Sequence, residues 1–431
     1  MRVIKYIEKI YIGRYDMKAL FRNANVYANG EFKKQTMLLD GASLSVFSGD
    51  VSSMDVPTFD NIAILPGFCD VHVQFREPGF SYKETIATGS RAAAHGGYTA
   101  VCTMPNLNPT PESPENLKVQ TDIIERDAVI AVFPYGTITK GQMGEELSDM
   151  EGMKDDAIAF SDDGKGVQTD SLMLEAMTKA HSLGKMIVAH CEDNSLLRGG
   201  YIHDGEYARE HGHRGICSES EFGQIARDLE LVKKVGCKYH VCHVSAKESV
   251  DVIREAKRQG VDVTCETAPH YLTMTDLDLE EEGRFKMNPP IRGEADRLAL
   301  IEGLKDGTVD MIATDHAPHS AEEKSRGLEK SNMGVVGIET AFPIMYTYLV
   351  KPGVMTLEEL VDVMSVKPRA RFGIESDVGF TVFDLGDEYD INPDDFVSMG
   401  KSTPFAGVRV NGRCLATVYD GKVAYASDKL N

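Results

Sequence analysis

Seven short apolar runs recur between helical patterns in this chain: AVCTMPN, IAVFPYGT, AIAFSDDG, MIVAHCED, KYHVCHVSA, DVTCETAPH and DMIATDHAPH. Most of them end in polar side chains capable of chemistry. Apolar β runs alternating with helices imply a parallel sheet covered by helices. About eight such units over roughly 300 residues fit a TIM-type (β/α)8 barrel better than an open doubly wound sheet. Sites in such barrels sit at the carboxyl ends of the strands, where His190, His243 and Asp315 fall. No GxGxxG or Walker loop points to a nucleotide instead.

From Met17, the stretch ALFRNANVYANGEF gives short β-type runs split by an Asn-Gly turn, and similar runs return after about residue 375. Both chain ends are therefore expected to build one small β-sandwich domain from 17–66 and 370–431, with the barrel over 67–369. Residues 1–16, MRVIKYIEKIYIGRYD, lack the apolar stretch and cleavage site of a signal peptide and are expected to be an extension dispensable for activity.

A formal net charge of -21 argues against a general nucleic-acid or anionic-membrane binder, which needs a basic stripe. It leaves room for a small anionic substrate held by one or two arginines. No run of about 18 apolar residues is present to span a bilayer. The eight cysteines have no CxxC spacing and read as reduced thiols of a cytoplasmic protein.

Within the expected barrel, His72, Asp163, His190, His243 and Asp315 would converge at one mouth, and imidazole with carboxylate is a ligand set suited to zinc. Residues two apart on a strand share a face, so position 74 points with His72, yet it holds Gln74 rather than a second imidazole. If His190 and His243 face inward, alternation turns Cys191 and Cys242 outward as packing residues. His181, His203, His211, His213 and His240 have no strand-end placement and read as surface or supporting residues.

The motifs DVHVQFREPG, TMPN, FSDDG, VAHCED, CHVSA, KMNPPIR and ATDHAPHSAEEK, continued by MGVVGIETAFP, together resemble the dihydroorotases of the amidohydrolase superfamily. The likeness is to the bacterial class whose metals are bridged by Asp, and it runs from about Met17 to the C-terminus. It implies reversible, zinc-dependent cyclisation of N-carbamoyl-L-aspartate to L-dihydroorotate in pyrimidine biosynthesis.

Carried over by position, the resemblance implies that His72, the residue at 74 and Asp315 hold one metal. Asp163 would bridge to a second ion held by His190 and His243. Substrate contacts would come from Arg76, Asn106, Asn288 and His319, with the backbone of Met333 and Gly334. Asp315 would carry the proton between the attacking water and the ring nitrogen. A two-pronged contact from Arg76 suits the substrate carboxylate. The polar segment HSAEEKSRGLEKSNMG has the composition of a substrate-covering loop.

The family pattern calls for histidine at 74. Gln offers a neutral oxygen, a poorer zinc ligand than an imidazole nitrogen, so one firm zinc with a weak or absent second ion is expected. Two other readings remain open. One is a non-catalytic partner of an aspartate transcarbamoylase. The other is a different cyclic amidase of the hydantoinase, dihydropyrimidinase or allantoinase type. Those relatives usually bridge their metals with a carboxylated lysine, whereas Lys165 here lies beyond the strand end and is expected to face solvent. A homodimer is a further expectation.

Overall fold

A computed structural model of the chain describes residues 17–376 and 378–430. The extension expected over residues 1–16 lies outside the described residues. The apolar runs form the parallel strands Phe68–Val73, Tyr98–Thr103, Ala131–Pro134, Met186–Ala189, Lys238–Val241, Val263–Thr267 and Met311–Ile312. The first three pair in order, as do the last four. Single parallel bridges join the two groups through Gly136, Phe160 and Ile187, and Val73 pairs with His316 across the remaining gap. Among the described residues, the pairings of these parallel strands therefore run in a closed circuit.

Between the strands lie helices whose apolar faces explain their placement. Helix Lys247–Arg258 buries Val250, Ile253 and Ala256, spaced three apart along one face, while its charged residues stay outside. Helix Glu219–Val235 stops at Gly236, whose left-handed φ of 74° suits a residue without a Cβ. Helix Pro114–Asp127 starts behind Ser113, which caps the backbone of Asn116, and has proline in its first turn.

Inside the circuit, Val71, Ala100, Tyr135, Val188 and Met311 pack together, and the Tyr135 hydroxyl donates to the Val71 carbonyl at 2.8 Å. This apolar plug fills the floor, so polar chemistry is confined to the strands' carboxyl ends. Strands from both ends of the chain join one eight-stranded sheet, in which Gly379–Asp390 bridges Ile62–Pro66 and Arg409–Tyr419. Arg369 ties this end of the molecule to the circuit by donating to Gly67 O at 3.1 Å and Thr99 Oγ1 at 2.6 Å.

Candidate active site

His72, Gln74, Asp163, His190, His243 and Asp315 converge where the strands end, and all six are buried. Asp163 Oδ1 is the hub: it lies 3.4 Å from His72 Nε2, 3.7 Å from His190 Nδ1 and 3.6 Å from His243 Nε2. Asp315 Oδ1 stands 3.4 Å from His72 Nε2. Zinc bonds of about 2.0–2.2 Å to nitrogen and oxygen place neighbouring ligand atoms of a tetrahedron roughly 3.3–3.6 Å apart. Two of the three edges around Asp163 fall in that range, and the one to His190, at 3.7 Å, lies just beyond it.

Two further observations fit a cation there. His72 Nε2 and Asp163 Oδ1 are buried and make no hydrogen bond, although they face each other. Burial opposes charge on His72, yet Asp163, Glu266 and Asp315 outweigh it and raise its pKa well above the usual imidazole value. A field that strong at a buried nitrogen is one a metal ion would satisfy. His72, Asp163 and His243 present ligand atoms within 4.8 Å of one another.

Gln74 enters this geometry as a donor. Its Nε2 lies 3.1 Å from Asp163 Oδ2 and 3.4 Å from Asp315 Oδ1, and its Oε1 accepts from Asn106 Nδ2 at 3.4 Å. Reversing the amide would set its oxygen against two carboxylate oxygens, so the charges select this orientation. Asn106 also donates to Asp163 Oδ2 at 2.9 Å.

The neighbouring Asp162 has another task. Its carboxylate accepts from the backbone of Ile138 and Thr139 and from the Thr139 hydroxyl, which anchors a loop. Lys165 is exposed. Asp70 accepts from the Thr314 backbone and hydroxyl, tying the first strand to the residue before Asp315.

Arg76, His319 and Met333 form a second cluster. Arg76 Nε donates to Pro318 O at 3.2 Å, and its NH2 lies 3.4 Å from His319 Nε2. Burial pulls the guanidinium down to about 10, so it stays cationic at neutral pH. Burial, with Arg76 and Lys83 alongside, pushes His319 down to about 3, which leaves the ring neutral. Its tautomer is then set from both sides: Nε2–H donates to Met333 O at 2.7 Å and Nδ1 accepts from Lys83 Nζ at 3.1 Å. Asn288 Nδ2 donates to Glu192 Oε1 at 2.9 Å, and Gly334 N donates to Lys286 O at 3.0 Å. A Cβ on Gly334 would stand 2.8 Å from Ala317 O and 3.1 Å from His319 Nε2, and its φ is 129°. Only glycine fits that passage.

Arg76, His243 and Asp315 adopt left-handed φ values of 56°, 33° and 45°. Three non-glycine residues in that region within one cleft mark backbone held against its own preference, as happens where side-chain direction matters for function.

Alternation fails at one predicted position for the same reason. Cys191 packs among the apolar side chains of the main core, its Sγ 3.3 Å from the Tyr239 hydroxyl. Cys242 instead joins Val71 and Val188 inside the circuit, within reach of His72 and Glu266. It lies past the last strand residue, Val241, and next to the left-handed His243, where strict alternation no longer holds.

Glu266 is a supporting residue that the strand-end pattern does not single out. It accepts from His72 Nδ1 at 2.7 Å and His240 Nε2 at 2.9 Å, so it holds the His72 ring with Nε2 turned toward Asp163. His240 is thereby a buried support rather than a surface residue. A carboxylate inside the run DVTCETAPH, where a buried strand is otherwise uncharged, is the signal that marks it.

A match to the family described as dihydro-orotase-like covers residues 62–249. The chain is 49% identical over 416 residues to a dihydroorotase of Fusobacterium nucleatum, an alignment covering 94% of this chain and 98% of that protein. The chain belongs to the dihydroorotase family. Another member, from Staphylococcus aureus, is 46% identical over 422 residues, covering 95% of this chain and all of its own. Among solved structures, an L-hydantoinase (dihydropyrimidinase) from Arthrobacter aurescens superposes with a TM-score of 0.80 at 25% identity, covering 95% of this chain and 96% of its own. A D-hydantoinase at 20% identity and a TM-score of 0.78 shares the fold of this dihydroorotase-family chain over 96% of both. Among the described residues, no helix is long and apolar enough to cross a membrane.

Proposed function

We propose that the chain is a dihydroorotase working from a (β/α)8 barrel, with a β-sandwich built from both chain ends, and that it interconverts N-carbamoyl-L-aspartate and L-dihydroorotate in the cytoplasm. The observation that carries this reading is Arg76 beside the neutral His319, one cluster away from the Asp163 hub. The cyclic amide and the carboxylate of one small substrate would meet separate groups there. A zinc ion held by Asp163, His190 and His243, with His72 and Asp315 at its margin, would supply Lewis acidity at neutral pH when bound.

The chain's own residues would do the rest. In hydrolysis, Asp315 accepts the proton of the attacking water as its oxygen bonds to the amide carbon. As the C–N bond breaks, Asp315 returns that proton to the ring nitrogen. Ring closure runs the same transfers backwards. Burial raises the pKa of Asp315, which suits a carboxylate that must both take and give a proton. Arg76 grips the substrate carboxylate through its planar fork, and Asn106, Asn288 and His319 orient the ring. Arg76→Lys should raise KM roughly tenfold or more, because a point charge cannot reproduce a two-pronged contact. Steady-state kinetics on dihydroorotate check this, and an unchanged KM would remove the clamp.

Hydrolysis assays of the purified, zinc-supplemented protein on dihydroorotate, hydantoin and allantoin test the function. Preference for dihydroorotate is expected; faster turnover of a neutral ring would favour the hydantoinase reading. A non-catalytic partner of an aspartate transcarbamoylase would have no chemical need for Arg76, His319 and Asp315 in these positions.

A further inference from the structure

Lys324 is buried at 7% exposure and forms no ion pair with a described carboxylate. Its Nζ instead donates to three backbone carbonyls: Gly334 O at 2.6 Å, Asn332 O at 2.7 Å and Lys286 O at 3.0 Å. Three acceptors use all three N–H groups of an ammonium, and burying that charge without a carboxylate is costly. Burial and the nearby Lys286 lower its pKa to about 7, and the three carbonyls, all acceptors, favour the charged form against that pull. A methionine or leucine would fill the space at less cost, so the carbonyls it gathers are the feature to explain.

Those carbonyls belong to the substrate side of the site. Asn332 O and Gly334 O flank Met333, whose own carbonyl accepts from His319 Nε2. Lys286 lies two residues before Asn288, and its carbonyl also accepts from Gly334 N. The Lys324 carbonyl accepts from Ser331 Oγ, and Gly283 presses so near that a Cβ there would lie 2.3 Å from it. One ammonium thus joins the segment after His319 to the segment leading into Asn288.

We propose that Lys324 is a positioning residue for the substrate carboxylate clamp: its ammonium ties the Met333 peptide to the Lys286 segment, and so holds His319 beside Arg76. The segment 320–334 is then a pinned wall of the site. This inference rests on the dihydroorotase reading for its kinetic consequence, and on the three carbonyl contacts alone for its structural one.

The test is Lys324→Met, which keeps the length of the side chain and removes the donors. In the folded, zinc-loaded variant, KM for dihydroorotate is expected to rise roughly tenfold with kcat changed by less than about threefold, since the groups at the reacting bond are untouched. Amide hydrogen exchange over residues 331–335, read in the same samples, should quicken by about tenfold or more. A KM within about twofold of the parent overturns the positioning role. Should Lys324→Met fail to fold, Lys324→Leu, which also removes all three donors, is read in the same way. If the parent protein does not turn over dihydroorotate, the functional reading fails. Exchange then decides the structural tie, and unchanged protection at 331–335 overturns it.

Discussion

Asp315→Ala is expected to lower dihydroorotate turnover by about 10^3-fold or more, within the range of 10^2–10^4 that a positioned acid–base group contributes. The carboxylate lies against both His72 Nε2 and the Gln74 amide, at the meeting point of the site's two halves. Among the described residues, the other carboxylates of the site are engaged: Glu192 accepts from Asn288 Nδ2 at 2.9 Å and stands 3.5 Å from His190 Nε2. Asp163 is surrounded by three imidazoles, and Glu266 is taken up by His72 and His240. Zinc content should be measured alongside the rate. A variant that keeps its zinc and its KM but loses kcat assigns the loss to proton transfer. Turnover within about tenfold of the parent would remove Asp315 from the proton path and point to another group or to solvent.

The alternation of apolar runs with helical patterns made the strands legible, because a buried parallel strand is apolar along its whole length. Five candidate metal residues stood out because each ended such a run or followed it closely. The six grouped by position, Gln74 included, are brought together by the closed circuit of strands. What could not be read were the supports. Lys83 and Lys324 sit in polar segments where most lysines face solvent; only their neighbours in space, His319 for one and three carbonyls for the other, set them apart. Glu266 acts through a ring 194 positions away in sequence. Cys242 escaped because period-two reasoning stops where φ turns positive at His243. Pattern fixes direction along regular backbone, and this site is assembled where regular backbone ends.

Gln74→His is expected to raise the zinc content of the protein from about one equivalent to two. In the parent, the amide Nε2 approaches Asp163 Oδ2 and Asp315 Oδ1, the oxygens a second ion would draw on. A neutral amide there satisfies part of the carboxylates' demand for positive charge while offering no nitrogen lone pair. An imidazole reverses both effects, since one ring nitrogen becomes a ligand suited to zinc and the competing N–H donors are lost. Metal analysis after dialysis against buffer at fixed free zinc is expected to give about one equivalent for the parent and two for the variant, with the second site tightened at least roughly tenfold. The first site should change little, because His190 and His243 face Asp163 through Oδ1 whereas position 74 touches Oδ2. Two tightly held ions in the parent would overturn the one-zinc reading, and a variant still at one equivalent would mean that position 74 does not govern the second ion. Dihydroorotate turnover by the parent at one equivalent would then separate two demands that the family pattern joins: one ion with Asp315 would suffice for the chemistry, and the second imidazole would govern how many ions are held.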